Sequence, residues 1–457
     1  MERFAHHPQN APSDPSISRR SVDLPSKAKA PFFESLHTLL AFMIMSGAFF
    51  GFFKSPGFKL ASQAEDSSFT KVLVIIAYAP PLLFQLRVLG RSMRTFLLAE
   101  PFILLMVAWA LASNSWSVVP EATLFKSLQL FFTLVYASYL AARFSWSELT
   151  SIARLALRLG LLLSIVVTLI KPDWGIASDG IHTGKWLGLY LHKNTFGRVG
   201  GLLVTLSVAQ VWSGLSRSRQ ALWFDVILGT LVILLSGSRT ALAVVLLVIF
   251  SLALARGLMR TQSSLRLALA SLLLLCGLIV APLSLVLASW VTGLNWDVLL
   301  TGRVSLWKTV LYLASQRPLT GFGYSAFFHE AAFGRLILLF ERWPVPHAHN
   351  MMLELAANLG FLAVPIYLST LLLYAYRTQR LPGAVGLLPL GVLLMNVVTG
   401  LTETACYPST EISGLLFLYF ALSLSGQDVP RQTETLAREP DPRSEIGLDP
   451  TQTVSPA

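Results

Sequence analysis

The 457-residue chain is poor in charge: Asp, Glu, Lys and Arg make up 13% of it, against 54% hydrophobic residues. A soluble domain carries roughly 25% charged residues, so an ordinary water-exposed surface is excluded. There are only two cysteines, Cys276 and Cys406, both within or beside apolar stretches. That argues against a disulfide framework or a thiolate metal site. The first ~30 residues lack an apolar stretch, and no cleavable signal peptide is expected there. Missing too is the period-two alternation of a transmembrane β-barrel.

What the chain does have is long apolar runs and a mean hydropathy of +0.62. The runs fall at about 36–53, 72–90, 96–112, 122–142, 152–170, 196–214, 221–236, 240–257, 266–290, 350–375, 384–401 and 412–426. Each approaches the ~20 residues that cross a bilayer as a helix. The expected fold is an all-α, polytopic membrane helical bundle with about 12 transmembrane helices. Residues 1–35 and 427–457 are polar and are expected to be disordered cytoplasmic tails around a transmembrane domain at 36–426.

The net charge of +11 does not indicate a nucleic-acid partner, because the basic residues sit mainly in short loops between spans. One alternate set of loops carries Arg87, Arg91, Arg94, Arg143, Arg217, Arg219, Arg256, Arg260, Arg266, Arg377 and Arg380. Arg19, Arg20, Lys27 and Lys29 lie in the N-terminal tail. Positive loops stay inside, so both termini are expected in the cytoplasm.

Cations on the opposite face run against that bias and need another explanation. Lys171, Lys185, His192 and Lys193 lie in the loop at 171–196, with Arg198 just inside the next span. Arg239 stands in a tight turn, GSRT. The long loop at 291–349 holds Arg303, Lys308, Arg317, Arg335 and Arg342. Its helical spacing from Val304 to Ala314 ends at a PLTGFG turn. It reads as a compact lid with amphipathic helices on the membrane surface.

Several of these residues are candidates for chemistry. Arg303 and Trp307, four apart, share one helical face: either an interfacial pair with a snorkelling arginine, or a guanidinium held for phosphate. Arg239 begins a helix that Ser238 and Thr240 can cap. A cation there opposes the helix dipole, which makes sense beside a bound anion or an intrabundle carboxylate. The HKN block places Lys193 and Arg198 at the start of another span, as anion contacts or as membrane borders.

The stretch PVPHAHNMMLE puts His347, His349, Asn350 and Glu354 where a polar loop enters an apolar span. An HxH pair suggests zinc, but no firm third ligand and no glutamate at metalloprotease spacing accompanies it. No metal is expected. His349 is read as a general base oriented by a polar neighbour, with a packed or capping histidine as the alternative.

Together the HKN block, the SRT turn, GRxxxW, PLTGFGY and HAHNMMLE resemble the O-antigen ligase and polysaccharide polymerase family. The HKN block resembles the exopolysaccharide (ExoQ-type) branch in particular. By motif the resemblance covers roughly 185–375. It implies a twelve-helix GT-C-like glycosyltransferase of the bacterial inner membrane, with its site facing the periplasm and no cofactor. The implied donor is a glycan on undecaprenyl diphosphate, and the partners are a glycan acceptor and membrane lipid. Polysaccharide export or chain-length control proteins are further candidates. Carried onto this chain, His349 becomes the base and Arg239 and Arg303 the diphosphate-binding arginines. Lys193, Arg198, Asn350, Glu354 and Trp307 are the expected substrate-binding residues. A repeat-unit polymerase is preferred to a ligase acting on lipid A core or to a protein O-glycosyltransferase. A transporter or lipid-linked sugar flippase is the reading from another class. It calls for midplane charges or repeat symmetry, and no internal repeat is evident.

Overall fold

Backbone groups in an apolar surround must be paired within their own segment, and the described apolar runs have done so as helices. A computed structural model describes residues 30–49, 72–73, 75–78, 98–178, 182–216, 218–258, 303–341, 345–404 and 407–425. The helices are α1 (Phe32–Met45), α2 (Pro101–Ala112), α3 (Pro120–Arg143), α4 (Trp146–Ile170), α5 (Lys193–Trp212), α6 (Arg219–Ser236) and α7 (Arg239–Gly257). They continue as α8 (Arg303–Ala314), α9 (Arg335–Glu341), α10 (Met351–Leu359), α11 (Ala363–Gln379), α12 (Leu387–Gly400) and α13 (Ile412–Ser425). Among the described residues no strand forms beyond one isolated bridge, Ile176 with Trp186.

Among the described residues, five segments are long and apolar enough to cross a membrane: α3, α4, α6, α7 and Gly383–Gly400, which contains α12. The run expected at 266–290, most of that at 72–90, residues 1–29 and 427–457 of the expected tails, and residues 291–302 lie outside the described residues. Helix α1 begins at Phe32, so the helical part starts a few residues inside the expected N-terminal tail.

Helix α5 is the hub, packing against α4, α6, α7 and α12. Its closest crossing is with α6, where glycines replace side chains. A Cβ on Gly229 would lie 2.6 Å from the Gly200 carbonyl oxygen, and one on Gly200 would lie 2.8 Å from that of Gly229. Small residues at such a crossing let two backbones touch, which drives helix association where no hydrophobic effect acts between helices.

The same three-helix region buries charge. Asp225 accepts from Arg154 Nη2 at 2.6 Å, Arg158 Nε at 2.7 Å and Ser207 Oγ at 2.8 Å. Arg154 also donates to Gln210 Oε1 at 2.8 Å. Charges in such surroundings persist only when mutually satisfied, and this cluster ties α4, α5 and α6 together. Arg143 with Glu34 and Arg377 with Glu100 form further ties.

The run expected as one span at 350–375 is two helices. Gly360 breaks it at φ +83°, and a Cβ there would stand 2.3 Å from the Leu319 carbonyl oxygen. The cause is the PLTGFGY segment, which docks on the C-terminus of α10. Phe322 N donates to Ala357 O at 3.1 Å, Gly323 N to Asn358 O at 2.8 Å, and Trp109 Nε1 to Leu359 O at 2.9 Å. The last carbonyls of α10, left without helical partners, are thereby satisfied from outside the helix. Gly321 and Gly323, at φ +63° and +108°, permit this close approach. The segment's other edge meets the loop after α2: Trp116 Nε1 donates to Thr320 O at 2.9 Å, and Val118 N to Phe322 O at 3.0 Å. With nine residues, α10 is too short to span a bilayer and instead carries the HAHN turn on its N-terminus.

Candidate functional site

Asn350 is the N-cap of α10, its Oδ1 accepting from Met352 N at 3.0 Å and Leu353 N at 3.1 Å. The preceding His349 lies in the left-handed region at φ +51°, an unusual position for a residue with a side chain. Such strain needs support from neighbours, and the turn has it on three sides. His349 N donates to His347 Nδ1 at 3.3 Å, Ala348 N to Glu354 Oε2 at 2.8 Å, and Trp307 Nε1 to Ala348 O at 2.9 Å. Glu354 is itself held, because Asn358 Nδ2 donates to its Oε1 at 2.8 Å. Asn358 Oδ1 in turn accepts from Phe327 N at 3.1 Å. A chain of hydrogen bonds thus runs from the PLTGFGY region through α10 to the histidine turn.

The turn presents His349 to Glu403, in the loop after α12, with Nδ1 3.1 Å from Oε2. Glu403 is almost fully enclosed, at 6% side-chain exposure, so its charge needs partners. Arg303 Nη2 lies 3.3 Å from its Oε1, and Asn194 Nδ2 donates to the same atom at 3.2 Å. Arg303 Nη1 also donates to Thr402 O at 2.9 Å. Asn194 Oδ1 accepts from Ser238 Oγ at 3.1 Å, linking the starts of α5 and α7 to the same carboxylate. Burial alone pushes Glu403 up. The hydrogen bond from His349 and the charges of His349, His347 and Arg303 outweigh it and hold the carboxyl well below its usual range.

With Glu403 ionised, the geometry favours the tautomer in which His349 Nδ1–H donates to it, placing the lone pair of the neutral ring on Nε2. His347 is packed against it, ring centroids 4.2 Å apart, with Nε2 3.7 Å from Glu403. Burial and the neighbouring His349 charge push His347 down to about 3, so it is neutral at pH 7.

The expected cations gather beside this pair. Lys193 opens α5, Arg239 opens α7 and Arg303 opens α8. Burial lowers the Lys193 amine first, and the charges of Lys185, Arg239 and Arg303 lower it further, so these four cations share one electrostatic neighbourhood. Arg239 is exposed, and no carboxylate pairs with it among the described residues. Ser238 caps α7 through Ala241 N at 3.3 Å. Lys185 reaches over the end of α6, its Nζ 3.0 Å from where a Cβ on Gly237 would stand. Arg198 faces elsewhere, bonding Glu411 at 2.6 Å. His192 is the N-cap of α5, accepting from Asn194 N at 3.2 Å, and burial followed by the His182 charge pushes it down to about 4.

The structure therefore joins His349, Arg303, Trp307, Asn350 and Glu354 in one constellation, with Lys193 and Arg239 beside it. Trp307 and Glu354 support the turn from its two sides. Sequence reasoning missed Glu403 and Asn194. Asn194 sits inside the HKN block, which was a usable signal. Glu403 lies 54 residues beyond His349 in a loop with no motif, so only folding reveals it.

The sequence suggested that the HxH pair lacks a third ligand, yet His347, His349 and Glu403 offer ligand atoms within 4.8 Å of one another. Three such groups could hold a metal ion. Against this arrangement stands the Arg303 guanidinium, which already lies on the same carboxylate and would repel a divalent cation.

A cavity of about 310 Å³ adjoins the histidine turn. His347 and Glu354 line it, as do Lys126 and Gln129 of α3, Tyr190 and Tyr324.

Residues 224–368, about a third of the chain, match the family model described as O-Antigen ligase. The match takes in Arg239, Arg303, Trp307 and the histidine turn, and leaves out Lys193, Asn194 and Glu403. No curated protein matches the chain.

Proposed function

We propose that this chain, a member of the O-antigen ligase/Wzy-type family by its domain at 224–368, transfers glycan from undecaprenyl diphosphate to an acceptor sugar hydroxyl. The observation that carries the reading is the His349–Glu403 pair, 3.1 Å apart, set beside Arg239, Arg303 and Lys193. The acceptor oxygen attacks the anomeric carbon as the bond to the diphosphate breaks. His349 Nε2 takes the hydroxyl proton, and the Glu403 carboxylate stabilises the imidazolium formed. The departing diphosphate keeps the bonding electron pair. Its charge is met by Arg239, Lys193 and Arg303, each well-placed donor contributing roughly 3–4 kcal/mol. One displacement inverts the anomeric centre. Arginine supplies the charge that a divalent metal supplies elsewhere, so the reaction is metal-independent.

In this reading about twelve helices form a GT-C-like bundle in the bacterial inner membrane. Both termini are cytoplasmic, and the segment that carries α8 and α9 covers a periplasmic site. Polymerisation of repeat units is favoured over ligation to lipid A core because of the HKN block. Its Asn194 bonds Glu403 and Ser238, which gives that block a part in the site. A transporter or flippase does not require a histidine–carboxylate pair among cations at helix N-termini.

The test uses the purified full-length protein with a lipid-diphosphate oligosaccharide, an acceptor and EDTA, followed by mass analysis. A ladder of repeats is expected. A single addition to lipid A core makes the protein a ligase. Absence of any transfer overturns the reading, and loss of transfer on EDTA treatment that zinc restores overturns metal independence.

A further inference from the structure

Helix α3 is apolar enough to cross a membrane, yet it turns Lys126 and Gln129, three residues apart on one face, to the cavity beside the histidine turn. An ionisable side chain within a spanning helix is costly to keep and commonly serves a substrate path. The cavity, at about 310 Å³, falls at the small end of the ~300–1,000 Å³ of small-molecule sites, which suits a short saccharide.

Its walls are of two kinds. Tyr190, Tyr324 and Phe328 supply aromatic surface for the C–H face of a sugar ring, while Lys126, Gln129 and Thr195 supply donors and acceptors for hydroxyls. The two carboxylates in the walls are already engaged. Glu411 is paired with Arg198 at 2.6 Å, and Glu354 is engaged by Ala348 N and Asn358. Lys193, Arg239 and Arg303 do not line this cavity. The cations that open α5, α7 and α8 thus lie outside the cavity that Lys126 and Gln129 line. His347, whose ring is 4.2 Å from that of His349, forms part of the boundary between them.

We infer that this cavity is the subsite for the terminal sugar of the acceptor, with Lys126 and Gln129 as its specificity-determining residues. The inference rests on the glycosyl-transfer reading above. It places the attacking hydroxyl on the His347 side of the turn and the lipid diphosphate on the Arg239 side.

Two measurements test it. In transfer assays at saturating donor, Lys126→Met and Gln129→Leu raise the acceptor KM by about tenfold or more, as expected for a lost hydrogen bond to a charged or amide group. Donor KM and the slow release of lipid diphosphate to water stay unchanged. A raised donor KM with an unchanged acceptor KM assigns the cavity to the donor and overturns the inference, and so does no change in either. Isosteric Gln129→Glu guards against loss of folding, and it too raises acceptor KM. The second measurement is calorimetric binding of the acceptor saccharide to the wild type and to Lys126→Met, without donor. Binding weakened by the variant, in a protein that transfers nothing, leaves the cavity assignment standing and sinks the reaction. Equal binding by both, in a protein that does transfer, sinks the cavity assignment alone.

Discussion

Ala348 donates its amide to Glu354 Oε2 at 2.8 Å, so a carboxylate on the first turn of α10 folds the preceding loop back over the helix. The bond lies between the two histidines in sequence and holds the backbone turn that carries both rings. Glu354, expected to bind substrate, thus has a positioning part as well as a place in the cavity wall.

Glu354→Ala and Asn358→Ala should each lower kcat roughly 10–100-fold, the loss expected when a reacting group moves by about 1 Å. Donor KM should change little, because neither residue lies among the cations. Glu354→Gln, which keeps an acceptor for Ala348 N, should recover part of the rate. A raised donor KM with normal kcat would contradict a positioning part.

His349→Ala should cost about 10²–10⁴-fold in kcat while membrane insertion stays normal. Glu403→Gln keeps the shape but removes the charge that stabilises the imidazolium, and a loss of similar size is expected. The check is a single-turnover assay across pH. Normal polymer from the His349 variant would end the base assignment.

Arg239→Ala and Arg303→Ala should each cost about 3–4 kcal/mol of transition-state stabilisation. Lysine should rescue both poorly, since it lacks the planar fork. The two sites should nevertheless differ. Arg303 also holds Thr402 O and Glu403, so its loss should alter the pH profile, whereas loss of Arg239 should leave the profile in place.

Arg154→Ala leaves Asp225 buried with part of its network gone, and should destabilise the protein by about 3–5 kcal/mol. Thermal unfolding in detergent measures this. The cluster lies away from the histidine turn, so the folded fraction should keep its specific activity.

Acid should destabilise the fold. His347 and His192 have folded values of about 3 and about 4, below the usual 6.5, and Glu403 is also held low. In all three the unfolded state binds protons more readily. Their contribution is fully present above about 6.5 for the histidines and above the usual carboxylate range for Glu403. It falls as pH drops toward the folded values. Unfolding midpoints should therefore decline below about pH 6.5, and His347→Ala should flatten that decline.

The residues of the candidate site were mostly legible from chain position alone. Arg239, Lys193 and Arg303 each stand at the start of a helix, where the dipole disfavours a cation, and His349 ends a loop at the start of another. Composition and apolar run length made the chain a helical membrane protein, because a bilayer leaves few ways to pair a backbone. Local signals also located Ser238 as a cap and the break at PLTGFG.

What local signals could not supply was the partner of each residue. The run at 350–375 reads as one apolar span, and only the contact of Leu319 with Gly360 shows why it breaks. Glu403 carries no motif and meets His349 solely because α12 ends beside α10. Residue type and spacing determined which side chains could do chemistry and roughly where the chain bends. Which carboxylate faces which histidine, and that an arginine shares that carboxylate, came from packing, since such contacts join segments that sequence distance does not relate.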